Sequence, residues 1–153
     1  SALARASGLG GMVGGQAVDL ASQGKRISLA ELRKMDEGKT GALILAAGRM
    51  GCILGGGSEK MTKAAEKYAE AVGLAFQIVD DILDVTGDSA VLGKKTGADS
   101  LNGKCTYVSL MGLEQASAEV EKLTEEAVRA LSQFDGDTEY LCSLAKELAA
   151  RKK

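Results

Sequence analysis

Apolar residues recur at three- and four-residue intervals along most of the chain, whereas the strict alternation typical of β-strands is hard to find. This spacing predicts an all-α fold, a single domain over 1–153 built from five or six helices. The chain has no proline, which suits long helices because proline removes a backbone donor and breaks them. The predicted helices cover 1–22, 28–36, 41–54, 58–85, 105–134 and 138–151.

Several helix ends carry local signals. Ser28 and Glu31 form the pattern of a capping box, in which each side chain binds the backbone N–H of the other end of the motif. The glycines within 36–41 (DEGKTG) are expected to interrupt the helix that follows this box. Three glycines at 55–57 then predict a break, and Ser58 is placed to cap the next helix.

Two of the predicted helices differ in character. The first carries Gly8, Gly11 and Gly15 at three- and four-residue steps, so a neighbouring helix can approach closely. The helix over 58–85 is amphipathic at its start and then nearly all apolar, which predicts a position at the centre of a helical bundle. A polar, glycine-rich loop is expected over 86–104.

The composition is that of a globular protein, with 45% hydrophobic and 26% charged residues and a formal net charge of −2. This charge balance and an aromatic content of 3% disfavour nucleic acid as a partner. No apolar run approaches the length of a membrane span. Without histidine, Ser-His-Asp and Cys-His catalysis are excluded. Three dispersed cysteines and no secretion signal lead us to expect the cytoplasm.

The central helix holds an acidic stripe inside an apolar run, FQIVDDILDVTGD at 76–88. Gln77, Asp80, Asp81 and Asp84 are spaced i, i+3, i+4 and i+7, which gathers them on one side of a helix. Such carboxylates face water, face lysines or bind a hard divalent cation through oxygen. The apolar flank disfavours a solvated face, and the spacing does not match a calcium loop. We therefore favour a Mg²⁺ site.

Lysines beside glycines are the second candidate feature. Lys39 and Thr40 lie in GKTG, Lys94 and Lys95 in GKKTGAD, and Lys104 in GKCTY. Each lysine alone is compatible with a solvated surface charge, and GKT is not a phosphate-binding loop because Arg33 stands where its first glycine is required. Together with the acidic stripe, the lysines predict a diphosphate bound between Mg²⁺ and ammonium groups, where its departure is stabilised electrostatically.

Five motifs, in order, resemble those of a known family. GMVGGQAVDL, KTGALI, FQIVDDILDVTGD, LGKKTGAD and GKCTYVSLMGLEQA are similar to the C-terminal half of the trans-isoprenyl diphosphate synthases. The resemblance covers essentially the whole chain and is strongest to the short-chain bacterial farnesyl diphosphate synthase (geranyltranstransferase) type. It implies one half of an isoprenoid synthase type fold. The family joins an allylic diphosphate (dimethylallyl or geranyl) to isopentenyl diphosphate head to tail and releases diphosphate.

The resemblance also implies roles for individual residues. The aspartates of the central helix look like the second aspartate-rich motif, which helps to hold Mg²⁺ on the allylic diphosphate: Asp80, Asp81 and Asp84. Lys39 and Lys94 would contact that diphosphate, and Lys104 would help to close the site. Thr40 and Gln77 would lie near the developing carbocation. The basic segment 151–153 resembles the family's closing tail, although it is also compatible with a frayed charged end.

The chain departs from the family pattern in ways that leave alternatives open. The first aspartate-rich motif, its neighbouring arginines and the residues that set product length are missing, and 36–38 (DEG) stands where relatives often carry histidine. The chain alone is therefore expected to be inactive. The first helix is expected to expose an apolar face, and a homodimer or association with the missing half would cover it. A non-catalytic helical partner, a truncated remnant or another all-α isoprenoid enzyme such as a cyclase are the alternatives.

Overall fold

The computed structural model describes residues 1–87 and 104–152, which contain eight α-helices and no strand. The all-α prediction is confirmed. A π-helical turn, Glu37–Gly41, joins α3 to α4, and a 3₁₀ turn, Leu131–Gln133, follows α7. The α-helices are α1 Ala2–Ser7, α2 Met12–Ser22, α3 Leu29–Asp36, α4 Ala42–Leu54, α5 Glu59–Thr86, α6 Tyr107–Met111, α7 Leu113–Ala130 and α8 Glu139–Ala150.

Helix α5 is the centre of the fold, as predicted. It packs mainly against α7 on one side and α4 on the other, and its Ile78 side chain is completely buried. Gly73 lets α4 approach, since a Cβ there would lie 3.4 Å from Ile44 Cδ1 and 3.7 Å from Gly41 Cα. The Tyr68 hydroxyl donates to the Leu141 carbonyl at 2.8 Å and ties α8 to the same helix. Thus α5 supplies more of the core than any other helix and also carries the candidate site.

The predicted caps are present. The Glu31 N–H donates to Ser28 Oγ at 3.3 Å, and the Ser28 N–H donates to Glu31 Oε2 at 2.8 Å, which completes the capping box of α3. At the start of α5 the Met61 N–H donates to Ser58 Oγ at 3.2 Å. These contacts satisfy backbone donors that a helix N-terminus otherwise leaves without partners.

Other predicted boundaries are wrong, and glycine explains two of them. The single helix over 1–22 is two helices, because the chain turns so tightly that a Cβ on Gly11 would lie 2.0 Å from the Ala6 carbonyl oxygen. The single helix over 105–134 is divided at Gly112, whose φ of +87° lies in the left-handed region that glycine adopts most readily. The count of five or six helices is therefore too low. The predicted loop over 86–104 falls almost entirely outside the described residues.

The predicted interruption at DEGKTG is also wrong. The chain keeps helical dihedral angles from α3 through the π-helical turn into α4, as at Asp36, Gly41 and Ala42. A π-helical turn accommodates an extra residue without ending the helix, and such turns often occur at functional sites. The result is that Lys39 and Thr40 lie within a continuous helical path rather than in a flexible loop.

The π-helical turn lies unusually close to α2. A Cβ on Gly15 would lie 2.1 Å from Lys39 N and 2.6 Å from Lys39 Cα, so only glycine fits at this crossing. Gly38 faces the same crossing, where a Cβ would lie 3.3 Å from Gly15 Cα. This close approach sets where the Lys39 side chain begins relative to α2.

The expected apolar surface is present on the first two helices. Its large side chains, all at least 45% exposed, are Leu3, Leu9, Val13, Val18 and Leu20. No helix within the described ranges is both long and apolar enough to cross a membrane. An apolar surface of this kind is typical of a face that contacts another chain or segment.

Candidate functional site

Asp80, the first aspartate of the stripe, binds a cation supplied by the protein itself. Arg151, the residue after α8, donates from Nη2 to Asp80 Oδ1 at 2.6 Å and to the Phe76 carbonyl at 2.9 Å. Its guanidinium carbon lies 3.8 Å from the centre of the Phe76 ring. The Arg151 side chain is 19% exposed and that of Asp80 49%, so the pair lies at the edge of the fold.

Asp81 has a structural contact as well. Its Oδ2 accepts a hydrogen bond from the Tyr107 N–H at 2.7 Å, which fixes the first turn of α6 against α5. Lys104 lies three residues before Tyr107, in the segment that leads into α6. Asp84 follows one turn after Asp80 and is half-buried. The acidic stripe is thus neither fully solvated nor fully enclosed.

The donor set agrees with the way that proteins hold Mg²⁺. Asp80 and Asp84 lie one helical turn apart, on one side of α5. Over 1–87 and 104–152, no three His, Cys, Asp or Glu side chains converge as a ready-made metal site. Mg²⁺ commonly takes one or two carboxylates and fills its remaining positions with water and phosphate oxygens. The oxygen donors of Asp80 and Asp84 therefore fit a Mg²⁺ ion that takes its remaining ligands from outside α5, and Asp80 already pairs with the cationic guanidinium of Arg151.

Lys39 is held by an acidic partner on α2. Its Nζ lies 2.5 Å from Asp19 Oδ2, and their side chains are 32% and 11% exposed. This pair depends on the close crossing at Gly15, one turn before Asp19 on α2. The ammonium group is therefore positioned and partly desolvated, which strengthens its interaction with a nearby anion.

Thr40 and Gln77 lie on neighbouring elements. Thr40 is half-buried in the π-helical turn, and Gln77 is half-buried on α5, one turn after Gly73. That turn packs against α5 as well as α2, and a Cβ on Gly73, one helical turn before Gln77, would lie 3.7 Å from the Cα of Gly41 at the end of the turn. Lys94, the remaining predicted substrate-binding residue, and its neighbour Lys95 lie outside the described residues.

Asp36 is a buried acid that joins these elements. It is 7% exposed at the end of α3, and burial raises its pKa from 3.8 to about 6. Tyr107 and Lys39 act in the opposite direction, whereas Asp19 adds to the increase. Burial likewise raises the pKa of Tyr107, whose hydroxyl lies beside Asp36 yet forms no hydrogen bond of ordinary geometry with the described residues. Two buried carboxyl groups, those of Asp19 and Asp36, therefore lie near the ammonium group of Lys39.

A cavity of about 1010 Å³ opens beside α5, lined also by residues of the α3–α4 junction and of α7. Its lining mixes apolar residues such as Leu45, Leu74 and Leu123 with charged ones such as Lys63 and Glu126. None of the predicted site residues within the described ranges lines it. Because it lacks the acidic stripe and Lys39, we do not assign the predicted chemistry to this cavity.

Sequence reasoning did not assign two contacts at the site. Asp19 is the only acidic residue of α2, in a helix of small and apolar residues, and this isolation is a signal that it has a buried partner. Arg151 was expected to belong to a closing tail or a frayed end, but it packs on Phe76 and binds Asp80. The frayed-end alternative is therefore wrong for Arg151.

The pKa of Asp36 predicts a pH-dependent stability. Unfolding returns this carboxyl to its ordinary pKa near 3.8, so between about pH 4 and pH 6 the folded protein keeps a proton that the unfolded chain has lost. The contribution of Asp36 to the free energy of unfolding therefore falls as pH rises through this window and is constant above it. A gap of this size corresponds to about 2–3 kcal/mol. Between pH 4 and pH 7, the free energy of unfolding of Asp36→Asn is therefore expected to rise by about 2–3 kcal/mol relative to that of wild type.

Urea unfolding at several pH values measures this difference. The matched control is Asp135→Asn, which removes one carboxylate from an exposed position. Its difference from wild type is expected to stay within about 0.5 kcal/mol across the range. Parallel pH profiles for Asp36→Asn and wild type would contradict the raised pKa.

Comparison with known proteins places the chain in a family. Residues 4–145 match the model of the polyprenyl synthetase family. The chain is 47% identical over 157 residues to a farnesyl diphosphate synthase of Escherichia coli, and the match covers 100% of this chain and 52% of that protein. It is 41% identical to large subunit 2 of a heterodimeric geranylgeranyl pyrophosphate synthase of Arabidopsis thaliana, with 99% and 41% covered.

A solved structure shares the fold. The Helicobacter pylori geranyltransferase, crystallised with magnesium and isoprenyl diphosphate, superposes with a TM-score of 0.78 and 33% identity over 96% of this chain and 48% of that one. The chain spans about half the length of the relatives it matches. A match over nearly all of its residues, in sequence and in fold, shows that this chain belongs to the polyprenyl synthetase family.

Proposed function

We propose that the chain carries one half of the reaction site of a short-chain trans-prenyl diphosphate synthase. Such an enzyme condenses an allylic diphosphate, dimethylallyl or geranyl, with isopentenyl diphosphate. The observation that carries the proposal is the packing of the π-helical turn that bears Lys39 and Thr40 against α5, the helix that bears Gln77 and the aspartates. In this proposal a diphosphate binds between the ammonium group of Lys39, which Asp19 positions, and the carboxylates of α5.

The roles follow from charge and position. Asp80, Asp81 and Asp84 would hold Mg²⁺, which when bound neutralises charge on the departing diphosphate. Lys39, fixed by Asp19, would bind diphosphate oxygens, as would Lys94 and Lys104. These fixed cations stabilise the negative charge that develops as the allylic C–O bond breaks. No protein nucleophile is needed in this scheme.

The remaining steps concern the carbon skeleton. The Thr40 hydroxyl and the Gln77 carbonyl present oxygen atoms that can lie near the allylic cation. The double bond of isopentenyl diphosphate attacks that cation to form the new C–C bond. A proton then leaves the adjacent carbon, with the released diphosphate as its acceptor. The apolar wall of α5 limits the access of water to the cation.

We infer that this chain needs further protein for turnover. It spans about half the length of its relatives, and its α1–α2 surface is apolar and exposed. A homodimer, or association with the half that its relatives also contain, would cover that surface. The heterodimeric Arabidopsis relative supports a role for subunit association in the family. Three free thiols support a reducing location, which we propose to be the cytoplasm.

A second candidate function is a non-catalytic helical partner or remnant of such a synthase. The half-length coverage and the exposed apolar surface favour it. This candidate predicts that association with another chain persists when the aspartates are removed, and that no diphosphate binds with Mg²⁺. The two functions thus differ in a single binding experiment.

That experiment is calorimetric titration of the 153-residue chain with inorganic diphosphate, with and without Mg²⁺. Binding is expected only with Mg²⁺, and Asp80→Ala/Asp84→Ala is expected to weaken it about a hundredfold or more, because each of the two lost charged contacts contributes about 1.5–3 kcal/mol. The matched control is Glu121→Ala/Glu125→Ala, which removes two exposed carboxylates at the same spacing on α7. Equal affinities in the two double variants would overturn the proposed metal site. The absence of binding to a folded chain would favour the non-catalytic function.

A further inference from the structure

The contacts of Arg151 combine three interactions at one turn of α5. Nη2 makes an ion pair with Asp80 at 2.6 Å and donates to the Phe76 carbonyl at 2.9 Å, and the guanidinium group stacks on the Phe76 ring. Arginine suits such a place because its planar group can stack and donate at once. The side chain is consequently well buried for a charged residue that follows the last turn of a helix.

The same contacts leave Arg151 incompletely satisfied. Its Nε is buried and has no hydrogen-bond partner within the described residues. A buried donor without a partner lowers the net stability of the docked side chain. Asp80 is half-exposed, so water and dissolved ions reach the carboxylate and weaken the ion pair. Docking of Arg151 is therefore specific in geometry and modest in strength, which are the properties of a reversible contact.

We propose that Arg151 is a tethered cation that pairs with Asp80 when no ligand is bound and must leave when magnesium and diphosphate bind there. This inference rests on the proposed function, because it takes Asp80 as a metal ligand. A guanidinium group and a divalent ion on the same carboxylate repel each other at close range. A carboxylate whose charge is already paired with a guanidinium group also binds the metal more weakly. Arg151 docking and metal binding at Asp80 thus exclude each other.

Release of Arg151 requires little movement of the fold. Helix α8 is held on α5 by the Tyr68–Leu141 hydrogen bond and by the buried Ala145, well before Arg151. Only the backbone after Ala150 and the arginine side chain need to move. Since linkage is reciprocal, the factor by which docked Arg151 weakens ligand binding equals the factor by which ligand weakens docking. The segment after α8 therefore responds to occupancy of the site.

The direction in which one substitution changes the affinity for magnesium and diphosphate distinguishes this competition from a general electrostatic effect. The magnesium complex of inorganic diphosphate carries a net negative charge, so removal of any nearby positive charge is expected to weaken its binding. Removal of a competitor strengthens it instead. Arg151→Gln is expected to bind magnesium and inorganic diphosphate about three- to tenfold more tightly than wild type, in keeping with a half-exposed ion pair. The control Lys152→Gln removes the same charge from the adjacent, exposed residue and is expected to bind equally or more weakly.

A second measurement follows the arginine directly. The chain has only two phenylalanines, so uniform fluorophenylalanine labelling gives two ¹⁹F NMR signals, one from Phe76 under Arg151 and one from Phe134 as an internal reference. Magnesium with inorganic diphosphate is expected to move the Phe76 signal of wild type toward its position in ligand-free Arg151→Gln. The Phe134 signal is expected to stay in place.

The outcomes separate the two proposals. Tighter binding by Arg151→Gln together with the Phe76 shift supports the tethered-cation inference. Equal or weaker binding by Arg151→Gln, or a Phe76 signal that stays at its ligand-free position while ligand saturates the wild type, overturns it and leaves the proposed function standing. If neither wild type nor Arg151→Gln binds magnesium and diphosphate although both are folded, the proposed function is overturned and the inference with it.

Discussion

Gly15→Ala is expected to lower the free energy of unfolding by at least about 3 kcal/mol. The added Cβ would lie 2.1 Å from Lys39 N and 2.6 Å from Lys39 Cα, which are backbone atoms of the π-helical turn. No side-chain rotation relieves an overlap between a Cβ and a backbone, so α2 and the turn must separate. That separation also pulls Asp19 from Lys39, and the half-buried ammonium group loses its partner.

Urea unfolding followed by far-UV circular dichroism measures this loss. Gly51→Ala is the matched control, because Gly51 lies within α4 and a Cβ there would meet nothing within 4 Å. Alanine is a better helix former than glycine, so this control is expected to gain about 0.5–1 kcal/mol. Gly15→Ala and Gly51→Ala proteins of equal stability would contradict the close crossing of α2 and the π-helical turn.

The parts of the fold that the sequence predicted are those governed by nearby residues. Ser28, Glu31 and Ser58 cap their helices as expected because a cap depends on contacts three residues apart. The central place of α5 was likewise predictable, since a helix apolar on all sides has to be surrounded. These features need no knowledge of which helix packs on which.

The errors arise where glycine has more than one use. In α2 the glycine at position 15 permits a close helix crossing, whereas Gly11 and Gly112 mark breaks in predicted continuous helices. At 36–41 the glycines break nothing, because a π-helical turn carries the helix through. Spacing along the chain does not distinguish these uses, since Gly15 is required by the packing of another element, Gly11 by a tight local turn and Gly112 by its backbone conformation.

In the candidate site, too, features set by residues of one helix were predictable and features set by tertiary packing were not. The stripe on α5 was visible in the sequence because its members share one helix. The Lys39–Asp19 and Arg151–Asp80 pairs were not, since their members are 20 and 71 residues apart and meet only through packing. The burial of Asp36 also depends on tertiary packing, as α3 and the π-helical turn bring it beside Tyr107 and Lys39. A sequence therefore predicts which side chains share one face of a helix more readily than it predicts which distant residues form ion pairs with them.

Helix α5 serves both the core and the site, and Ile78 allows the two to be separated. Its side chain is 0% exposed and lies among the core residues of α5 and α7, two positions before Asp80. Ile78→Ala is expected to lower the free energy of unfolding by about 4 kcal/mol, because three carbon atoms leave a packed interior and a cavity remains.

Chemical unfolding at pH 7 tests this expectation, with Ile78→Val as a control that removes one methylene and is expected to cost about 0.5–1.5 kcal/mol. Asp80→Ala/Asp84→Ala changes the half-exposed side of the same helical turns, so its stability is expected to stay within about 1 kcal/mol of wild type while its binding of magnesium and diphosphate is weakened. A loss below about 1.5 kcal/mol for Ile78→Ala would contradict a fully packed α5. A stability loss in the aspartate variant as large as that of Ile78→Ala would show that the stripe belongs to the core. Carboxylates whose role is to bind a ligand are not expected to stabilise the protein in the absence of that ligand.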